Sequence, residues 1–333
     1  MLYAGLDVHK RTTYVTVVDE SGEVIKREQV KSTAAGMKKA LGRYRRPVKA
    51  VLEASYNWGP VHDWLEDVAD EVVLAHPAKV RAIAEARIKT DKIDSGILAH
   101  LLRADLIPEA YAPKKEVRST KRVLRQRMFL VRLRTMVKNR IRALLAQHAV
   151  ELPKVSDLYG KAGREWLQEV DIPDPDGQLL SEDLEMLDFL GERISATEDL
   201  IKKLSANDPA VRWLCSVPGI GPFISVLIRY EVDDISRFRE AKKFASYTGL
   251  VPSTYASGGR TMHGRLTKQG NKWLRWAFVE AVMPAITHSP WLRRYYEKIK
   301  RRLGSKDACV ATARKIAELA WAVWTERRFY EER

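Results

Sequence analysis

The sequence predicts a mixed α/β domain followed by a remainder that is almost entirely helical. Three strand-like runs at the N-terminus, followed by helix and strand signals in alternation, are typical of a mixed sheet covered by helices. In the remainder, hydrophobic residues recur every seven positions through long charged stretches, which indicates long helices. The 333 residues are enough for two or three domains, and a hydrophobic content of 45% allows folded cores to form.

The first predicted domain covers residues 1–112. Its strand-like runs are bounded by turn residues, such as Asp19-Glu20-Ser21-Gly22, and runs with helical spacing lie between the later strands. The predicted strands are Leu2–Val8, Thr12–Asp19, Glu23–Val30, Val48–Glu53 and Glu71–Ala75, and the predicted helices are Ala34–Tyr44, Pro60–Val68, Pro77–Ala86 and Lys92–Asp105.

The second predicted part, residues 113–206, is helical, and its first half is strongly basic. Residues 114–154 contain 13 basic and 2 acidic side chains, a net charge of +11. Apolar residues spaced by seven form one seam here and a second seam in a helix from about Ser181, as in a coiled coil. The two seams can pair with each other or with a second subunit. Their residues are Val123, Leu130, Val137 and Leu144 in the first seam, and Leu180, Leu187, Ile194 and Ile201 in the second.

The charge balance indicates a polyanionic partner. The chain has 58 Lys and Arg residues against 43 Asp and Glu residues, a formal net charge of +15. Each phosphate that a Lys or Arg neutralises releases condensed counterions, so clustered positive charge favours nucleic acid. A positive helix can also be an ordinary solvated surface, but so many like charges on one element repel each other unless a polyanion is bound.

Cysteine usage and the lack of membrane signals predict the compartment. Cys215 and Cys309 lie far apart and outside any C-x-x-C pair, which excludes a disulfide framework and a structural zinc site. The N-terminus lacks the charged and apolar regions of a secretory signal, and no apolar run approaches the roughly 18 residues of a membrane span. We therefore expect a cytoplasmic, nucleoid-associated protein of a bacterial or archaeal cell, with no membrane partner.

The third predicted part, residues 207–333, is mostly helical and opens with a glycine turn at 217–222. Backbone N–H groups of such a Gly-x-Gly turn can hold a phosphate, although similar turns are common between helices. A glycine- and hydroxyl-rich loop is predicted at Val251–Gly259, followed by a basic stretch at Arg260–Arg275. Tryptophans among basic residues more often pack in a core than stack on bases. They are Trp273, Trp276, Trp291, Trp321 and Trp324.

Four carboxylates of the first domain are candidates for a catalytic site. Asp7 and Glu53 each end an apolar strand, where a carboxylate is costly in a core but useful in a site. Asp91 and Asp94 share one face of a predicted helix start, where capping and the helix dipole alone explain them. Together the four could converge on Mg²⁺, which prefers oxygen ligands and can stabilise both oxygens of a phosphoryl displacement.

Several motifs in combination resemble a known family. Gly5-Leu6-Asp7-Val8-His9-Lys10 and Ile88-Lys89-Thr90-Asp91-Lys92-Ile93-Asp94 are similar to the N-terminal domain of the DEDD transposases of bacterial insertion sequences, which include the bridge-RNA-guided recombinases. The similarity covers nearly the whole chain in the expected order. The matching C-terminal segments are 217–222, Phe244–Pro252, Ser257–Gly259 and Gly264–Asn271.

The resemblance implies a ribonuclease-H or RuvC-like domain in which Asp7, Glu53, Asp91 and Asp94 bind Mg²⁺. It also implies that Ser257 is the nucleophile of the C-terminal transposase domain, although a serine beside two glycines is otherwise an ordinary loop residue. The middle helices would serve dimerisation and contact with RNA or DNA. The family acts as a dimer or tetramer whose subunits share the active site, and a noncoding RNA can pair with donor and target DNA.

The sequence thus predicts a DNA transposase or recombinase that forms a phosphoserine link to DNA and exchanges strands without ATP. Two alternatives stay open: a metal-only RuvC-like endonuclease or junction resolvase in which Ser257 has no chemical role, and a non-catalytic nucleic-acid-binding protein. The presence of all four carboxylates argues against the second. The residues predicted to contact nucleic acid are Arg122, Arg125, Arg132, Lys138, Arg265 and Lys268.

Overall fold

The computed structural model describes residues 1–84, 91–257, 260–266 and 270–332, and for residues 92, 254–257, 260–263 and 265 it describes the backbone alone. The chain forms two compact units, residues 1–115 and 116–333. The boundary between the units lies close to the predicted end of the first domain at residue 112.

A five-stranded mixed sheet forms the centre of the first unit, with the strand order β3-β2-β1-β4-β5. Its strands are β1 (Leu2–Val8), β2 (Thr12–Val18), β3 (Val24–Lys31), β4 (Val48–Glu53) and β5 (Glu71–Ala75). β1 and β3 pair with β2 in antiparallel fashion, whereas β4 pairs in parallel with both β1 and β5. The predicted mixed sheet is confirmed, and the bounds of β1, β4 and β5 are those predicted from the sequence.

Helices cover both faces of this sheet. They are α1 (Ala34–Leu41), α2 (Trp58–Glu66), α3 (Pro77–Ile83) and α4 (Asp91–Arg103). Adjacent strand residues point to opposite faces, so Leu52 packs in the core under α1 and α2 while Val51 packs in the core under α3 and α4. The sequence predicted this helix α3 to continue to Ala86, but it ends at Ile83 with Ala84 as its C-cap, and residues 85 and 86 lie outside the described residues.

Helix α4 approaches β1 closely because Gly5 has no side chain. A Cβ atom at Gly5 would lie 2.1 Å from the Ser95 carbonyl oxygen and 2.4 Å from the Ala99 amide nitrogen. The buried hydroxyls of Thr16 and Ser95, 2.9 Å apart, join α4 to β2 as well. These contacts fix the helix across the sheet, with its first turn near the carboxyl end of β1.

The second unit is mostly helical, and among its described residues it contains one β-hairpin. None of the helices that the structure describes has the length and apolar composition of a membrane span. The helices are α5 (Lys115–Gln147), α6 (Lys161–Glu169), α7 (Asp176–Ser205), α8 (Pro209–Cys215), α9 (Pro222–Val232), α10 (Ala241–Tyr247), α11 (Lys272–Glu280), α12 (Val282–His288), α13 (Pro290–Leu303) and α14 (Ser305–Thr325), and the hairpin strands are β6 (Pro252–Ser257) and β7 (Arg260–Leu266).

The two predicted apolar seams meet within the chain. Leu130 of α5 forms a buried cluster with Leu190 and Ile194 of α7, and a second cluster joins the two helices further along α5. Of the two pairings that the sequence left open, the structure contains the one within the chain. The coiled-coil geometry and the dimer stay predictions.

Helix α5 also joins the core of the C-terminal helices. Leu124 is fully buried in the same cluster as Leu214, Phe244 and Phe278. The second unit therefore contains both the predicted middle part and the predicted C-terminal part around connected cores, and the boundary at residue 206 stays a prediction.

The prediction of a loop at Val251–Gly259 was wrong, because Pro252–Ser257 form a strand. β6 and β7 pair in antiparallel fashion up to Ser257 and Arg260. The prediction gave weight to the glycines and small hydroxyl residues and too little to the threonine and tyrosine of β6, which are residue types that favour strands. Ser257 is the last residue of β6, and Gly258 and Gly259 lie outside the described residues.

We predict that Gly5→Ala destabilises the first unit by about 3 kcal/mol, since the added methyl group collides with helix backbone and the sheet and α4 must separate. Gly96→Ala is the matched control on α4, because a Cβ atom there meets only the Arg27 Nη2 atom at 4.0 Å and alanine favours helix. Amide hydrogen exchange of β1 measures the opening free energy of this unit. Equal protection in Gly5→Ala and the wild type would contradict the close approach.

Candidate active site

Two predicted carboxylates meet at the edge of the sheet where β1 and β4 end. Leu6 pairs with Leu52 in parallel register, so Asp7 and Glu53 follow at neighbouring positions on the two strands. Parallel neighbours project to the same face, and here that face lies under α4. Asp7, Glu53 and Asp94 line one cleft of 90 Å³, to which α3 contributes Arg81.

The fourth predicted carboxylate reaches Asp7 through a histidine. His9 Nε2 lies 3.1 Å from Asp7 Oδ2 and 3.2 Å from Asp91 Oδ1. Ligand atoms of these three residues all lie within 4.8 Å of one another, which is metal-ligand spacing. Asp91 is the first residue of α4, and its carboxylate also contacts His9, a contact that a helix-start role alone does not explain. Asp7 is thus common to two groups, because it lines the cleft with Glu53 and Asp94 and is joined to Asp91 by His9.

The residues around Asp7 and His9 shift the pKa of both side chains. Burial raises the pKa of Asp7, and the nearby carboxylates of Asp91 and Asp94 raise it further against the opposing effect of His9. The pKa of His9 is also raised, because its attraction to Asp7 and Asp91 outweighs the lowering effect of desolvation. Both shifts reduce the negative charge of the cluster, as expected where carboxylates are crowded together.

The donor set fits a hard divalent cation. Carboxylate oxygens from two strand ends and one helix face a single small cleft, and Mg²⁺ is commonly held by one or two such groups together with water and phosphate oxygens. His9 was missed as a site residue from sequence. Its spacing of two from Asp7, at the end of a strand, was the available signal, because residues i and i+2 of a strand share a face.

A second group with metal-ligand spacing lies on α2 and consists of His62, Asp63 and Glu66. All three come from one turn and a half of a single helix, and the buried His62 ring packs edge-on against Trp58 at 5.8 Å between centroids. Helical spacing and aromatic packing therefore explain why these three side chains lie close together.

The hairpin that carries Ser257 is held together at its base. A Cβ atom on Gly270 would lie 2.3 Å from the Gly249 amide nitrogen, so the two backbones touch, and Gly249 has a positive φ of 73°. The backbone N–H of Asn271 donates a hydrogen bond of 2.8 Å to the backbone carbonyl oxygen of Tyr247. The two ends of the hairpin are therefore joined by contacts among Tyr247, Gly249, Gly270 and Asn271, which we call the clasp. The hydroxyl of Ser257 itself lies outside the described side chains.

A buried glutamate ties this clasp to the basic helix α5. Glu231, whose side chain is 1% exposed, accepts hydrogen bonds from Arg125 Nε at 2.9 Å and Nη2 at 3.0 Å, and from Asn271 Nδ2 at 2.9 Å. The Asn271 Oδ1 atom in turn accepts from the first amides of α11. Sequence reasoning missed Glu231, although a single acidic residue in the mostly apolar run Pro222–Val232 was a usable signal.

The residues predicted to contact nucleic acid differ in whether other groups of the protein already bind their side chains. Arg125 is engaged by Glu231, and Arg122 donates to the Ser119 hydroxyl at 2.8 Å. The Lys138 ammonium lies 4.4 Å from the centre of the Tyr159 ring, while Arg132 is exposed on α5. The Arg265 side chain and the whole of Lys268 lie outside the described residues. All six contacts stay predictions.

Comparison with known proteins supports the resemblance seen in the sequence. A family model for DEDD transposases of the IS110 type matches residues 4–150, and one described as "Transposase IS116/IS110/IS902 family" matches residues 211–297. The first match contains the carboxylate cluster, and the second contains the serine hairpin.

Relatives match along almost the entire chain. A probable family 20 transposase of Pseudomonas aeruginosa is 28% identical over 98% of this chain and 97% of its own length. The transposase for insertion sequence element IS1111A of Coxiella burnetii is 25% identical over 98% of this chain and 90% of its own. The transposase for element IS1328 of Yersinia enterocolitica is 24% identical over 79% of each chain. With both halves matched in order, this chain belongs to the IS116/IS110/IS902 family of insertion-sequence transposases.

Proposed function

We propose that this transposase cleaves and rejoins DNA by Mg²⁺-dependent phosphoryl transfer with Ser257 as the nucleophile. The observation that carries the proposal is that Asp7 lines one cleft with Glu53 and Asp94 and is joined to Asp91 by His9, in a chain whose family acts on DNA. Asp7, Glu53, Asp91 and Asp94 would hold the metal ion, which supplies positive charge to the oxygens of the reacting phosphate.

The chain's own residues supply binding and orientation. Asp7 and Glu53 are fixed by neighbouring strands, and Asp91 and Asp94 by the first turn of α4, so the ligands are set before DNA arrives. His9 contacts Asp7 and Asp91 and orients both carboxylates. The basic face of α5 would hold the DNA backbone through phosphate contacts that carry no sequence information.

In the proposed reaction, the Ser257 hydroxyl loses its proton and its oxygen bonds to a DNA phosphorus atom. The phosphorus–oxygen bond to the next nucleotide breaks, and the leaving DNA hydroxyl takes up a proton. A hydroxyl of the partner strand then attacks the phosphoserine, forms the new DNA linkage and restores the serine. One phosphoester is exchanged for another at each step, so no ATP is consumed.

The assembly is part of the proposal. The metal ligands belong to the first unit and Ser257 to the second, which suits a dimer or tetramer whose subunits share active sites. A noncoding guide RNA that pairs with donor and target DNA would account for sequence recognition by a protein that binds mainly through positive charge.

A metal-only endonuclease is the competing function, because all four proposed metal ligands belong to the first unit, whereas Ser257 belongs to the second. This rival would cut DNA with water as the nucleophile and leave no protein–DNA adduct.

We predict that Asp94→Asn lowers Mg²⁺-dependent DNA cleavage by at least about 100-fold and also raises the melting temperature in EDTA, since it removes one of the crowded negative charges. Wild-type protein gains thermal stability on addition of Mg²⁺, and the variant loses that gain. Asp63→Asn, in the second acidic group on α2, is the control and keeps both cleavage and the Mg²⁺ response. Full cleavage by Asp94→Asn, or loss of the Mg²⁺ response in Asp63→Asn instead, argues against the assigned site.

Ser257→Ala is predicted to abolish the covalent protein–DNA adduct and strand exchange, because alanine has no hydroxyl to bond to phosphorus. The adduct is detected by incubating end-labelled DNA with protein and Mg²⁺ and running a denaturing gel. Ser253→Ala, on the same strand β6, is the matched control and keeps the adduct. Undiminished cleavage by Ser257→Ala, with no adduct in the wild type, identifies the metal-only endonuclease.

A further inference from the structure

A groove of 370 Å³ lies between the basic helix α5 and α11, the helix that follows the serine hairpin. Its walls combine aromatic and sulfur-containing side chains with arginines, all from the second unit. Its lining residues include Arg125, Arg132, Met128, Phe129, Trp273 and Trp276.

The aromatic side chains of this groove are available to a ligand. Phe129 is 53% exposed and Trp276 is 36% exposed, which is unusual for side chains of this size. The sequence-based expectation that the C-terminal tryptophans pack in the core is confirmed for Trp291, Trp321 and Trp324, which lie in or against the main cluster. It is wrong for Trp273 and Trp276, which line the groove.

The charge of the groove suits an anion. The Arg125 guanidinium is paired with Glu231 and lies 5.4 Å from the centre of the Trp273 ring, so it is held in place beside the aromatic wall. Arg132 is exposed and forms no ion pair with any residue that the structure describes. Helix α5 as a whole contains 11 basic residues and a single acidic one, so the surroundings of the groove are strongly positive.

These features fit one nucleotide of a single DNA strand better than they fit a protein side chain. An aromatic wall stacks on a base of any sequence, and neighbouring arginines bind the phosphates. The bases of duplex DNA are already stacked on each other, so only an unpaired nucleotide can enter. Strand exchange requires unpaired strands, and α11 begins directly after the clasp that holds the Ser257 hairpin.

We propose that this groove stacks an unpaired DNA base against Trp276 and Phe129 while Arg132 binds an adjacent phosphate, so that a freed strand is held beside the serine hairpin. This proposal rests on the proposed function, since it assigns a strand of the exchange reaction to a particular place on the second unit.

The test measures binding of the full-length chain to two fluorescent single-stranded 12-mers of equal charge, one of thymidines and one of abasic nucleotides, in EDTA. Trp276→Ala weakens binding of oligothymidylate about 5- to 100-fold and leaves the abasic strand unaffected, whereas Trp276→Phe keeps most of the affinity. Arg132→Gln lowers the slope of log affinity against log salt by about 0.7 for both strands. Phe189→Ala is the matched control, because Phe189 is 55% exposed with Arg193 5.6 Å from its ring but lies on α7, outside the groove.

Several results would overturn the proposal. They are equal affinity of the wild type for the two strands, an equal loss of both strands in Trp276→Ala, an effect seen only with an RNA 12-mer, or a dimer that dissociates in Trp276→Ala and so shows the groove to be covered by a second copy. The measurement records binding and not cleavage, so it gives the same result even if Ser257 is not the nucleophile. A wild-type chain that binds neither single-stranded nor duplex DNA would overturn this proposal and the proposed function together.

Discussion

The backbone contact between α4 and β1 is the constraint on which the carboxylate cluster depends. At Gly5 the helix is so close that even a methyl group would overlap the Ser95 carbonyl oxygen. This distance decides how far the side chains of the first helical turn reach over the sheet. A larger residue at position 5 would force α4 and β1 apart and so change the spacing between Asp7 and the carboxylates of Asp91 and Asp94. A glycine that offers no side chain of its own therefore helps to set the geometry of the proposed site.

The carboxylate cluster by itself lowers the stability of the folded chain, and the same crowding shifts the pKa of Asp7. Bringing carboxylates together out of water raises their free energy, and the raised pKa of Asp7 is the direct sign of that cost. His9 offsets part of it by contacting Asp7 and Asp91. A DNA phosphate that approaches the cleft meets the same negative charge, although the chain as a whole carries +15. In the proposed site, a bound cation would offset the carboxylate charge that repels the phosphate, and the phosphate would add oxygen ligands for the cation, so each would strengthen binding of the other.

The sequence predicted the first unit well because its signals are local. Strands such as Leu2–Val8 and Val48–Glu53 are short apolar runs bounded by turns, and their bounds were correct. The position of Asp7 and Glu53 at strand ends follows from the same runs, and parallel pairing brings them together without further information. Asp91 and Asp94 were harder to assign, because a helix start explains acidic residues equally well until the Gly5 contact is known.

What the sequence could not predict depends on contacts between residues far apart in the chain. The partner of Arg125 is Glu231, 106 residues away, and no local pattern relates them. The groove of Trp276 and Phe129 likewise exists only because α11 lies beside α5. The hairpin of Ser257 was missed for another reason: small and glycine residues outweighed two good strand formers, and pairing with β7 decided the conformation.

The anchoring of the hairpin has a mechanical consequence for the proposed reaction. Its base is fixed by the touching backbones of Gly249 and Gly270 and by Asn271, which the buried Glu231 holds against α5. The hairpin base, α11 and the groove are thus parts of one packed body, while the carboxylates belong to the other unit. A strand bound in the groove and the phosphate attacked by Ser257 would therefore keep a fixed position relative to each other. The proposed cleavage also needs a carboxylate cluster, which belongs to the first unit, at the same phosphate.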